Sequence, residues 1–461
     1  MSEAAMNDKG DQRGRGDGAR RGAGGGAGPG GGPRAAAVDL LGGVLEARKP
    51  LSDLLVASEG PLERLDPPAR ARAQRLATGT LRHLARADAL LDPHLRKPPP
   101  ARIRAILRLA VVEHYVEGAP AHAVVKEAVD LARLGPRGSA LAGMVNAVLR
   151  RALSTPQAEW DALPPPRLPG WLRKPLRSAW GKRAVAAMEA AHLGPVPLDL
   201  TPRDAAQVEA LAEQLGGEVL PTGSIRIARP SGAISALPEY DAGQWWVQDA
   251  AAALPARLAL TGMSAGARVL DLCAAPGGKA LQLAAAGCAV TALDISGPRM
   301  ERLRANLART GLSADCVVAD ALHWQPDAPF DVIVLDAPCS ATGTIRRHPD
   351  LPHIRDASVL ETLLPLQAAL LDRALGWLAP GGVLVYCVCS LLPAEGEEQA
   401  RAALARHTGM EARPPAPTEQ AAGFDPGWIT PEGGLRLRPD YWPERGGMDG
   451  FYMIRLRWAA A

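Results

Sequence analysis

Apolar positions recur at three- and four-residue spacings from about Ala35 to Leu153. Ile103, Ile106, Leu107, Ala110 and Val111 mark one stripe, and Val124, Val125, Ala128, Val129, Leu131 and Ala132 another. Stripes of this period are the buried faces of amphipathic helices. Prolines at 67, 68, 93, 98–100, 120 and 136 punctuate them, and no strand-like alternation competes. The pattern predicts an all-α domain over 35–155. Pro164, Pro165 and Pro166 then break the chain, and Trp171 to Leu193 reads as connecting helix. From Pro197 to about Tyr240 the texture is mixed: strands at Leu198–Leu200, Glu218–Leu220 and Ile225–Ile227, with a helix near Ala205 to Leu215. Residues 156–244 are therefore expected to hold linker helices and a small α/β module. After Gln244, strand, loop and helix alternate. Buried-strand runs fall at Arg268–Leu272, Cys288–Asp294, Asp315–Asp320, Phe330–Asp336 and Gly382–Cys389, with helices such as Pro298–Thr310 and Val359–Leu378 between them. This predicts a parallel sheet with helices on both faces over 245–461, and Phe451–Trp458 is expected as a late edge strand.

Composition refines the picture in four places. Residues 1–34 are rich in Gly and Arg and cannot bury enough apolar surface to order, so they read as a disordered tail. The net charge is only +3, so any nucleic-acid affinity must be local. Between Leu62 and Arg151 there are 16 Lys and Arg against 8 Asp and Glu. Arg64, Arg70, Arg72, Arg75, Arg82 and Arg86 crowd one stretch, and charge alone fits a solvated face and a phosphate-binding surface equally. All six cysteines lie in the C-terminal half, with no paired CxxC spacing and no secretory signal ahead of them. A reducing, cytoplasmic setting and no metal are expected. With no run of 18 or more apolar residues, no membrane span is expected.

The chemistry concentrates at strand ends. In an open α/β sheet, ligands sit beyond the carboxyl ends of the strands. The turn after the first long strand reads Cys273-Ala274-Ala275-Pro276-Gly277-Gly278-Lys279. It matches neither the GxGxxG dinucleotide fingerprint nor the GxxxxGK[ST] phosphate loop. Asp294, Asp320 and Asp336 end the next three strands. Any one of them alone would be an ordinary strand-end or helix cap, but three in succession form a constellation.

The run DLCAAPGGK, then LDIS at 293–296, DAPCS at 336–340 and YCVCS at 386–390, resembles the RsmB/NOP/NSUN family of RNA cytosine-5 methyltransferases. Trp246-Val247-Gln248-Asp249 and Ile345-Arg346-Arg347-His348-Pro349-Asp350 extend the likeness. The helical segment is similar to the RNA-binding NusB fold, which bacterial members carry ahead of the catalytic domain. The small module sits where the family has an RNA-contacting extension. The resemblance implies a Rossmann-like methyltransferase that takes S-adenosyl-L-methionine on Cys273 to Lys279, Asp294, Asp320 and Asp336. It further implies Cys389 as the nucleophile adding to cytosine carbon 6 and Cys339 as the group that assists release. Asp336 would hold ring nitrogen 3, and Lys279 would line the same cleft. Arg346, Arg347 and His348 would contact RNA, with a monomer acting on 16S ribosomal RNA of the small subunit. Cys288, Cys316 and Cys387 read as small buried hydrophobes, Cys387 on the face of Cys389 but deeper. The chain departs from the family pattern at Ala280, Ala341 and Val388, where Thr, Gly and Thr are usual. Three rivals stand beside this reading: the same chemistry on another RNA such as tRNA; a DNA cytosine-5 methyltransferase with Cys339 as nucleophile, which lacks an ENV-like signature here; and an inert RNA-binding assembly factor, against which both cysteines argue.

Overall fold

The computed structural model describes residues 32–135, 138–230, 232–421 and 423–458. Most of the expected N-terminal tail, residues 1–31, lies outside them. Helix begins at Pro33, two residues before the expected boundary. Proline suits the first helical turn, where its missing N–H costs nothing, and Arg34 is drawn in by Glu113, 2.8 Å away and 2 % exposed.

Helices Pro33–Leu45, Pro67–Arg82, Ala101–Tyr115, Ala121–Arg133 and Gly138–Ala152 build the first layer. The apolar stripes at three- and four-residue spacing turn inward as the pattern demands, with Leu40, Leu41, Leu76, Ile106 and Val111 essentially inaccessible. Truncating any of these to Ala typically costs about 2–5 kcal/mol. Trp160, beyond the expected boundary at 155, belongs to this core: it stacks on Tyr115 at 4.9 Å. The arginine-rich stretch does not form one face. Arg72 pairs with Glu113 and Arg75 with Glu117, while Arg86 is buried with its guanidinium 4.6 Å above Trp160. The connecting helix Gly170–Leu193 kinks at Gly181, whose φ of 78° breaks the helical run.

A small sheet follows, made of β1 (Leu198–Pro202), β2 (Glu218–Val219), β3 (Ile225–Ile227) and β4 (Trp245–Val247), in the order β2-β3-β1-β4. Here β4 pairs antiparallel with β1, so the module reaches past 244.

The large sheet contains β5 (Arg268–Leu272), β6 (Ala289–Asp294), β7 (Asp315–Val318), β8 (Phe330–Asp336), β9 (Leu378–Val388), β10 (Met410–Ala412), β11 (Leu435–Leu437) and β12 (Phe451–Trp458). Its order is β10-β12-β9-β8-β5-β6-β7, with β11 paired to β12. From β9 to β7 the strands run parallel, with β5 central. The central strands β5, β8 and β9 are mostly apolar and buried because helices cover both faces. The expectation of an edge position for Phe451–Trp458 is corrected: β12 lies inside the sheet, antiparallel to both β9 and β10. After β5 the chain steps outward through β6 and β7, then returns to β8 on the other side. The crevice opens where that order reverses, above the C-terminal ends of β5 and β8.

Candidate active site

The glycine turn sits at that switch point. Gly277 has a φ of 108°, and a Cβ there would lie 2.7 Å from Leu303. Only glycine takes that backbone without strain. A Cβ on Gly278 would press the Gln248 amide at 3.2 Å, and Gln248 is itself held by Trp246 and Gln282 at 2.9 and 2.8 Å. The turn thus exposes backbone, not side chain, to the crevice, and opens the helix Gly278–Ala285.

Asp294, 2 % exposed, accepts from the Ala275 amide at 3.0 Å and the Ser296 amide at 2.9 Å. Those bonds fix its carboxylate and leave further acceptor positions on each oxygen. Asp320 stands two residues beyond β7 with its side chain 40 % exposed, and it caps the Leu322 amide at 2.9 Å. Two residues missed from sequence border the same place. Ile295 is 69 % exposed directly after Asp294; a large apolar side chain left in water beside a strand-end acid was the available signal. Asp271, on β5, is fully buried, and no side-chain donor reaches its carboxyl. Burial pushes it up to about 7 despite the pull of Lys279.

On the β8 and β9 side, Asp336 is partly open to the crevice and Lys279 nearly closed, with Nζ 2.7 Å from Oδ2. Burial alone would lower the lysine's pKa, but Asp336 more than offsets it, so Lys279 stays charged. Its ammonium also lies 5.3 Å from the Phe451 ring centre. Cys387 is fully buried, with its thiol 3.8 Å from Asp336 Oδ1, and Val388 beside it is equally closed.

Cys339 and Cys389, fifty residues apart in the chain, place their Sγ atoms 3.5 Å apart. The hydrogen bond with Cys389, then burial, raises the Cys339 thiol well above its ordinary value. Glu395, fully buried and missed from sequence, ties the two cysteine loops together. It accepts from the Ser340 amide at 2.8 Å, from the Ser390 hydroxyl, and from Gln367 at 3.0 Å. Ser340 and Ser390 each follow one of the cysteines, so a single carboxylate sets the distance between the two thiols.

The expectation that Arg346 meets RNA is corrected. Its side chain is 1 % exposed and bridges Asp249 at 2.9 Å and Asp449 at 3.5 Å, while donating to Gly446 O at 2.7 Å. Arg347 is one-third open, but its Nε already binds Asp449 at 2.7 Å. His348 is exposed. A buried pair broken on one side typically costs about 3–5 kcal/mol. Arg346→Ala is therefore expected to lower the urea-denaturation midpoint sharply. An unchanged midpoint with weaker RNA affinity would restore the RNA-contact role.

No helix among the described residues is long and apolar enough to cross a membrane, and they contain no cluster of three or more His, Cys, Asp or Glu placed to hold a metal ion.

Residues 259–457 match a family model described as 16S rRNA methyltransferase RsmB/F, and residues 32–154 match the NusB family. The ribosomal RNA small subunit methyltransferase B of Pseudomonas syringae pv. tomato is 36 % identical over 446 residues, covering 92 % of this chain and 96 % of that protein. The protein of the same name from Vibrio cholerae is 34 % identical, covering 92 % and 96 %. A solved methyltransferase homolog from Pyrococcus horikoshii superposes with a TM-score of 0.51 at 26 % identity, covering 66 % of this chain and 95 % of that one.

Proposed function

The chain belongs to the RsmB/F family of 16S rRNA methyltransferases and is an S-adenosylmethionine-dependent RNA methyltransferase, and from that premise we propose that it methylates carbon 5 of a cytosine in small-subunit ribosomal RNA through a covalent adduct on Cys389. The observation that carries this reading is the pair of thiols of Cys339 and Cys389, 3.5 Å apart past the ends of the adjacent strands β8 and β9.

The cradle fits S-adenosylmethionine. Gly277 and Gly278 let the turn pack closely on Leu303 and Gln248, the backbone of Cys273 to Lys279 would line the cofactor, and Asp294 is fixed with acceptors to spare for a ribose diol. Ile295, exposed beside Asp294, would offer an apolar face and Asp320 an acceptor to the base. When bound, the cofactor supplies an electrophilic methyl group on a sulfonium. Asp294→Ala is expected to weaken binding of S-adenosylhomocysteine about 10- to 100-fold, the range for a hydrogen bond to a charged group. Calorimetric titration measures it, and unchanged affinity would remove Asp294 from the site.

Carbon 5 of cytosine is too weak a nucleophile to act unaided. A Cys389 thiolate forms a bond to carbon 6, and the electron pair of the 5,6 double bond moves to carbon 5, which would bond the methyl group as the sulfur–methyl bond of the sulfonium breaks and the sulfur keeps its electron pair. Asp336, its rotamer set by Lys279, would share one proton with ring nitrogen 3, the proton moving toward the ring as the adduct forms and back to the carboxyl as the double bond re-forms. Two thiols this close cannot both ionise readily, so Cys339 keeps its proton and donates to the Cys389 thiolate. Once Cys389 is consumed as a thioether, the charge holding that proton is gone. Cys339 then releases its proton to solvent and, as a thiolate, removes the carbon 5 proton; the double bond re-forms, and the sulfur–carbon 6 bond breaks to return Cys389 as thiolate. A stacked base cannot reach these sulfurs, so an unpaired loop is the easier substrate. Bisulfite sequencing of small-subunit rRNA from cells with and without the gene tests the assignment. One cytosine is expected to lose its protection in the deletion, and an unchanged pattern would defeat the proposal.

A further inference from the structure

A cavity of about 180 Å³ lies where the helical region meets both the kinked connecting helix and the loop after β8. Arg82, at the end of the helix Pro67–Arg82, forms part of its wall. Arg82 donates Nη2 to Arg346 O at 2.8 Å, but its Nε is buried with no partner, and among the described residues no carboxylate pairs with it. Burial, then the neighbouring charge of Arg346, lowers its affinity for its proton. His192 is nine-tenths buried on the same wall, and its Nε2 is likewise without a partner. Burial and the charges of Arg346 and Arg82 hold that imidazole down to about 3.

The carboxylates in the lining are already committed. Asp88 binds Arg104 and Arg108 at 3.0 and 2.7 Å. Glu189 binds Arg173 at 2.7 Å and the Leu168 amide at 2.9 Å. Arg167 is exposed and also borders the cavity. The result is a partly open recess with one uncompensated guanidinium, a neutral imidazole with an unused nitrogen, and a cation at its rim. Desolvated positive charge without a partner is costly and is relieved by an anion. A planar guanidinium matches the oxygens of a phosphate.

We propose that this recess receives a backbone phosphate of the RNA substrate, with Arg82 as its principal contact and Arg167 at its entrance. Location favours RNA over a free anion, because the loop lining the recess runs back through Ile345 and Thr342 to Cys339. A strand whose target base reaches the thiols would pass along that loop toward the helical region. The proposal rests on RNA being the substrate, not on the carbon 5 chemistry.

Filter binding of a protein-free small-subunit rRNA transcript to the full chain, across a salt series, tests it without requiring methyl transfer. Each phosphate contact contributes about 0.7–0.9 to the slope of log affinity against log salt. Arg82→Ala is expected to lower that slope by about 1 and weaken binding several-fold, while Arg82→Lys retains the slope and the affinity for S-adenosylhomocysteine stays unchanged. Because Arg82→Ala also removes the bond to Arg346, Arg167→Ala provides the exposed control and is expected to lose part of the same slope. Wild-type slope and affinity in both alanine variants would overturn the proposal. So would a second result: inorganic phosphate raising the Tm of the wild type but not of Arg82→Ala, with RNA slopes unmoved, which would assign the recess to a free small anion.

Discussion

Cys389→Ala is expected to abolish methyl transfer, by at least about 10⁴-fold in turnover, while binding of S-adenosylhomocysteine stays within twofold of the wild type. The size follows from the chemistry: removing a covalent nucleophile takes away the whole reaction route and not one increment of its stabilisation. The sparing of the cofactor follows from geometry. Cys389 lies past the end of β9, whereas the cradle is built on the β5 turn and the end of β6. The Cys389 backbone is pinned through its carbonyl, which accepts from the Gly343 amide at 3.0 Å, so a methyl side chain leaves the loop in place. Labelled methyl transfer to rRNA reads the first quantity and calorimetry the second. Turnover near the wild-type rate would sink the nucleophile assignment. Activity lost in Cys339→Ala without any adduct, beside an active Cys389→Ala, would move the role to Cys339.

The second large effect is an accumulation. Cys339→Ala is expected to trap the methylated RNA on Cys389, because nothing positioned as Cys339 is remains to remove the carbon 5 proton. Turnover should fall about 10²- to 10⁴-fold, the usual worth of a placed acid–base group. A slow-migrating protein–RNA band should appear on a denaturing gel and vanish in the Cys339→Ala/Cys389→Ala double variant. An active single variant with no band would strip Cys339 of its release role.

Much of this site was legible because its signals are local. The strands β5 and β8 are mostly apolar runs with an acid at or next to the last position, Asp271 and Asp336, and the cofactor turn is contiguous. The cysteines follow the ends of two adjacent strands, β8 and β9, and the alternation that put Cys387 deeper on the face of Cys389 needs only neighbouring residues. What could not be read depends on partners far along the chain. Arg346 looks like a loop cation until Asp249 and Asp449 arrive from 97 and 103 residues away. Glu395 has the look of a surface acid because its donors come from Ser340, Ser390 and Gln367. The alternation of Phe451–Trp458 is the same whether a strand is an edge or is flanked by β9 and β10. Trp245–Val247 belongs to the small sheet only because β1 is there to receive it.

The burial of Arg346 against Asp449 bears on how the protein is made. The loop that follows Cys339 is synthesised well before its second carboxylate partner, which emerges 103 residues later, and β12 must then slot between β9 and β10. At ordinary translation rates of about 5–20 residues per second, that leaves an interval of about 5–20 s. Over the last 60 of those residues, from Cys389 to Asp449, the nascent chain holds both thiols but lacks the Asp449 half of the Arg346 clasp and the Phe451 ring beside Lys279. Closure of the cleft around the two thiols is thereby timed to the emergence of β12, so a ribosome-bound or prematurely terminated chain carries Cys339 and Cys389 without the residues that frame them.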